Sequence, residues 1–146
     1  MAVTKVLARD WTIEVQTGTD IAPEWIPIKG LKTFAFRNSK SDADTTTFDS
    51  EGNEEHIVAS RGRSMTMDGT FLIDVGTGER DPGQMAVETL GEGIGPSSLN
   101  GFRLTNPGGM LRDFVASAKL SDVGGSEKDP TSWGAELTVS GKVNKV

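Results

Sequence analysis

The chain is expected to be mainly β: an antiparallel β-sandwich or barrel with one short flanking α-helix and a long extended loop. Three observations predict this class. Apolar and polar residues alternate with period two in several separate stretches, the mark of strands with one buried face. Eighteen glycines accompany a hydrophobic fraction of only 35%, which suits a turn-rich β protein with a large surface. Helix signals are confined to one segment, and no strand–helix–strand repetition occurs, so the strands pair antiparallel. At 146 residues the chain is one domain, 1–146, long enough to bury a core and too short to divide comfortably in two.

In chain order, Trp11, Ile13 and Val15 alternate with Thr12, Glu14 and Gln16, giving a first strand, followed by a turn at Thr17-Gly18-Thr19-Asp20. Trp25-Ile26-Pro27-Ile28 is a short second strand, and Pro27, which lacks an amide donor, favours an edge or a strand end. Gly30 interrupts it, and Leu31–Phe36 continues in extended form. Residues 64–73 hold the cleanest alternation: Met65, Met67, Gly69, Phe71 and Ile73 against Ser64, Thr66, Asp68 and Thr70. The helix is expected over 81–94. Asp81 suits the N-cap, Pro82 the first helical position and Gln84 the capping-box position, while Ala86, Val87, Leu90 and Ile94 form the apolar stripe. Phe102 and Leu104 begin the next strand, and Asn106-Pro107-Gly108-Gly109 is a turn. Phe114, Ala116, Ala118 and Leu120 share one face of 111–120. After an acidic, glycine-rich turn at 122–130, Trp133, Ala135, Leu137, Val139, Gly141 and Val143 alternate with polar residues. Trp11 and Trp133 lie in phase with the buried faces and are expected in the core.

The stretch Asn38–Ser64 interrupts this pattern. Its 27 residues far exceed the ~4–6 of an ordinary connection, and longer ones are usually functional or disordered. It carries Asp42, Asp44, Asp49, Glu51, Glu54 and Glu55 against Lys40, Arg61 and Arg63. It also holds the β-favouring run Thr45-Thr46-Thr47-Phe48 and the apolar run Ile57-Val58-Ala59, which a merely solvated loop would not need. It is expected to be an arm that lies loosely on the isolated subunit and orders against a partner.

The formal net charge is −6, which disfavours a nucleic-acid-binding role because phosphates are repelled. Residues 1–37 have five bases against four acids, 38–64 three against six, and 65–146 seven against eleven. The chain has no cysteine, which removes disulfides, thiolate metal sites and cysteine nucleophiles. With no apolar run near the ~18 residues of a membrane span and no signal-peptide core, folding is expected in the cytoplasm of the producing cell.

Catalytic constellations are not apparent. The single histidine, His56, sits in the acidic arm with no nucleophile frame around any serine. Asp42-x-Asp44-x-Thr46 opens like a calcium loop, but Thr47 and Asn53 stand where the EF-hand pattern needs glycine and an acid. Gly76-x-Gly78 lacks the third glycine and the βαβ setting of a dinucleotide turn. No catalytic, metal or cofactor residues are assigned, and no cofactor is expected.

The order of features does resemble one family. W-x-P-I-x-G-L-x-x-F at 25–34, DADTTTFDSEG at 42–52, SMTMDGTFLID at 64–74, ERDPGQMAVETL at 79–90, FRLTNPGG at 102–109 and W-x-x-x-L-T-V-S-G-K-V at 133–143 are together similar to the major tail tube protein of long-tailed, lambda-like bacteriophages. The resemblance implies a β-sandwich or barrel subunit with a flanking helix. Such subunits form hexameric rings, stacked as a hollow virion tube through which double-stranded DNA passes. It implies as partners other copies of the chain, a tape-measure protein, and tail terminator and baseplate or tip proteins. By resemblance, Asp44, Thr45, Thr46, Thr47, Phe48, Asp49, Ile57 and Val58 would contact a neighbouring ring or subunit, and Thr66, Asp68 and Thr70 are candidates to face the lumen. Two alternatives stay open: the tube protein of a contractile injection or secretion apparatus, which shares the architecture, and a monomeric β-sandwich binding or decoration module, which would need exposed aromatics and a closed, edge-protected sandwich.

Overall fold

A computed structural model describes residues 3–18 and 22–145; Thr19 and Asp20 of the expected first turn lie outside them. The strands are β1 (Thr12–Gly18), β2 (Pro23–Pro27), β3 (Leu31–Asp44), β4 (His56–Thr70), β5 (Leu99–Thr105), β6 (Leu111–Leu120) and β7 (Ser132–Lys145), with the helix α1 (Pro82–Gly91) between β4 and β5. They form one seven-stranded sheet in the order β2-β1-β5-β6-β7-β4-β3, antiparallel at every pairing. The sheet is open rather than closed into a barrel, with β2 and β3 as its edges. Pro27 ends an edge strand, where its missing donor breaks no ladder.

The sheet folds over a single core. Met65 and Met67 of β4, Phe102 and Leu104 of β5, Ala116 of β6 and Leu137 of β7 are fully buried, and all come from the apolar phase of their strands. Aromatic rings bridge distant strands: Phe36 of edge strand β3 meets Phe114 of β6 edge-on at 5.7 Å, Phe114 stacks on Phe102 at 6.0 Å, and Trp11 meets Phe34 at 5.8 Å. Trp25 behaves differently. It lies across from Gln16 on the outer face, beneath the Arg103 guanidinium at 4.1 Å, and Arg103 is in turn held by Asp113 at 2.9 Å.

Helix α1 plugs the core beside the end of β4 and the start of β7. Asp81 caps it as expected, its Oδ2 accepting from the Gln84 amide at 3.1 Å. Gln84, however, does not close a capping box. Its fully buried side chain donates to the carbonyls of Lys29 (3.0 Å) and Thr70 (2.8 Å) and accepts from the Leu72 amide at 3.1 Å. Gly83 makes this seat possible, since a Cβ there would collide with the Pro27 carbonyl. Arg80 completes the junction: it donates to both Glu88 oxygens at 3.0 and 2.9 Å and to the Leu72 carbonyl at 3.0 Å, and lies 3.7 Å over the Phe71 ring. The Trp133 indole donates to Glu88 at 3.0 Å. Ile94, expected in the apolar stripe, lies beyond the helix and is exposed.

The largest departure from expectation is residues 38–64. They form no loose arm and no extended loop: β3 and β4 pair continuously from Asn38↔Arg63 to Asp44↔His56, with one bulge between Ser41 and Asp42. The sequence conceals this ladder because both faces of the ribbon are solvated, so no period-two signal exists to read.

Gln84→Ala removes the side-chain partner of three part-buried backbone groups, Lys29 O, Thr70 O and Leu72 N, and is expected to lower unfolding free energy by ~3 kcal/mol, read from urea titration. The Arg80 guanidinium, and then the Trp133 indole, hold the Glu88 carboxyl below its ordinary value of 4.5. A depressed native pKa adds stability that is complete above the ordinary value and is lost as pH falls through the lowered one. Urea midpoints should therefore fall on acidification below about pH 4.5, and Glu88→Gln should flatten that fall.

Candidate assembly surface

Beyond the pair Ser64↔Thr138, where β4 leaves β7, the β3–β4 hairpin projects from the sheet with only its own ladder to hold it. Its tip is locally ordered. The Thr45 amide donates to the Glu55 carbonyl at 2.9 Å, and the Thr46 hydroxyl accepts from the Glu55 amide at 2.9 Å. Asp44 Oδ1 accepts from the Thr46 amide at 2.9 Å, and hydrogen bonds from Thr46, side chain and backbone, hold the exposed Asp44 carboxyl below the usual carboxylate range. Thr47 and Ser50 form a reciprocal capping box around a single 3-10 turn, Phe48–Ser50. The chain then reverses through left-handed Glu51 (φ 54°) and Gly52 (φ 82°), a conformation glycine accepts readily and glutamate does not.

This folding fixes what the tip displays. Asp44, Thr45, Thr46 and Thr47 are occupied in the tip's own hydrogen bonds or capping, so the sequence-derived set divides. Phe48 stands fully exposed (107% of its reference area) with Asp49 beside it, and Ile57 and Val58 on β4 are 62% and 50% exposed. Ile57 opposes Ala43 and Val58 opposes Asp42; being adjacent in a strand, they point to opposite faces of the ribbon. His56 opposes Asp44 and lies 3.8 Å from Glu54.

Thr66 and Asp68 lie on the opposite sheet face from Met65 and Met67. Thr66 is flanked by Ala35 and Glu136, and Asp68 by Thr33 and Gly134. With Thr138, Ser117 and Lys119 on the neighbouring strands, they form a polar face of hydroxyls and both charge signs. Thr70 shares their phase but ends β4, where its carbonyl receives Gln84. The sequence did not single out the basic residues on the hairpin root, Lys40, Arg61 and Arg63, although they are the arm's only bases.

Because Phe48, Ile57 and Val58 contribute nothing to the core, Phe48→Ala and Val58→Ser are expected to change the isolated subunit's unfolding free energy by less than ~0.5 kcal/mol. Urea titration measures it; a loss of several times that would mean the tip packs on its own subunit.

No family model matches the chain, and no curated protein does. Solved structures do. A chain from the tail of an empty gene transfer agent particle, determined with C6 symmetry, superposes with a TM-score of 0.76 at 16% identity, covering 97% of this chain and 99% of that one. A chain of the SPP1 tail tube superposes at 0.66 with 16% identity, covering 97% and 78%. One from the sheath–tube complex of an extracellular contractile injection system, in the extended state, superposes at 0.60 with 12% identity, covering 97% and 91%. The fold is therefore one that tail and tube assemblies use.

Proposed function

We propose that this chain is the structural subunit of a hollow virion tail tube, assembling as hexameric rings that stack along one axis and form a passage for double-stranded DNA. The observation that carries the proposal is the near end-to-end superposition on a C6-symmetric tail. A preformed hairpin that overruns its own sheet and ends in a bare aromatic supports it independently. Ring closure and stacking need heterologous contacts, in which one surface meets a different surface of the next copy. The hairpin supplies one such surface, through Phe48, Asp49, Ile57 and Val58, with Asp44–Thr47 setting its shape. The role is structural, not catalytic. A tape-measure protein would set the length, and terminator and baseplate or tip proteins would close the two ends.

In this assembly the face bearing Thr66, Asp68 and Thr70 lines the lumen. Six copies carry about −36 of net charge per ring at −6 each, so DNA slides past a wall with few of the bases that would gain counterion-release affinity. A tube of a contractile injection apparatus is the second reading, favoured by the 0.60 superposition on a chain of a sheath–tube complex. Recruitment of a sheath protein onto the assembled tubes separates the two.

Negative-stain microscopy of the purified protein, alone and with a tape-measure protein, is expected to show rings and tubes. Replacing residues 45–55 by Asn-Gly should leave a folded subunit by circular dichroism that no longer forms them. A wild-type chain that stays monomeric in both settings overturns the proposal. Asp68→Lys should permit tube formation but slow DNA delivery; unchanged infectivity after Asp68→Lys with Thr66→Lys would remove the lumen assignment.

A further inference from the structure

Charge on the β3–β4 hairpin is sorted by height. At the root, Lys40 directly opposes Arg61 and Asn38 opposes Arg63. By strand alternation these four residues continue the face that holds Phe34, Phe36, Met65 and Met67 in the body of the sheet. Where β4 peels away from β7, Arg61, Gly62 and Arg63 look across a groove at Val139, Gly141 and Lys142. Among the described residues only Arg63 has a polar side-chain partner there, donating to Asn38 at 3.2 Å. Among the described residues Lys40, Arg61 and Lys142 enter no ion pair, and two like charges directly across a ladder are destabilising. At the other end, Asp44, Asp49, Glu51, Glu54 and Glu55 share the tip segment with the exposed Phe48.

Among the described residues no ion pair joins the two charge groups within one copy. Asp42, two strand residues from Lys40, enters no ion pair among the described residues, and Asp44 stands four strand residues from Lys40, ~13 Å along the ribbon, beyond the ~8 Å over which exposed charges act at physiological salt. A hydrogen-bonded ribbon does not fold its tip onto its own root. Each copy carries a charge complement to the groove at the end of its own hairpin.

We propose that the acidic tip of one copy docks into the basic groove lined by Arg61, Arg63 and Lys142 of another, head to tail, with Lys40 opposite Arg61 at its edge. The proposal rests on the tube function above and names the receptor for the hairpin. Because tip repels tip and groove repels groove, the contact has only one polarity, which is what a heterologous, propagating interface requires. It is also an ionic-strength-dependent contact, formed faster and held more firmly at low salt.

The test is a charge swap in the full chain, read by sedimentation velocity and negative-stain microscopy. Lys40→Glu with Arg61→Glu reverses the groove; Glu51→Lys with Glu54→Lys reverses the tip. All four positions are exposed, so each variant should fold, with circular dichroism as the control. Each reversal alone is expected to cut the assembled fraction by about tenfold or more, and combining both in one chain is expected to restore assembly. Either single reversal assembling like the wild type overturns the docking, as does a combined variant that folds but stays dispersed. If the groove reversal leaves assembly intact and instead abolishes binding of a short DNA duplex in fluorescence anisotropy, the occupant is phosphate and the docking is overturned. A wild-type chain that forms no rings or tubes is a separate failure, that of the tube function itself.

Discussion

The ladder between β3 and β4 is the interaction on which the rest of the molecule depends. Within the body it makes β3 an edge of the sheet and places Phe34 and Phe36 over the core. Beyond Ser64 it continues without β7, and those further pairs are all that supports the projecting tip. A two-stranded ribbon in water is marginal on its own. This one persists because its base is rooted in a seven-stranded sheet, so the ladder extends structure already nucleated rather than starting anew.

The root is anchored in turn by α1. Gln84 joins the end of β4 to the turn before β3, through Thr70, Leu72 and Lys29. Arg80, Glu88 and Trp133 tie the helix to the start of β7. The helix thus fixes β3, β4 and β7 relative to one another at the end opposite the hairpin. A subunit with a stiff base and a stiff projecting ribbon presents its contacts at set positions, and a repeating assembly needs that more than it needs local affinity.

What could be read from the sequence followed burial. Strands with one buried face, such as 64–70 and 132–145, announced themselves through Met65, Met67, Trp133, Ala135 and Leu137, and the antiparallel class with one helix followed from their order. The hairpin did not, because Ser39, Lys40, Arg61 and Gly62 are exposed and leave no apolar alternation. Gln84 was legible as a helix-start residue but not as a buried tertiary staple, since capping and long-range pairing use the same side chain. Arg80 gave no signal, because its partners are distant in sequence. In the candidate site, Phe48, Ile57 and Val58 stood out as apolar residues in a polar stretch, and they are exposed. The basic groove could have been found only by pairing Lys40 with Arg61, which requires the register.

A preformed hairpin changes how assembly should be pictured. An arm that ordered only on docking would lose conformational entropy at each contact; a ribbon already paired loses little. Amide hydrogen exchange across residues 38–64, in the free subunit and in the proposed tube, tests this most directly. The account predicts that amides paired in the ladder are already protected in the free subunit, and that those of residues 48–54 gain protection only in the tube. An unprotected ladder in the free subunit, or a tip that exchanges equally fast in both states, would contradict it.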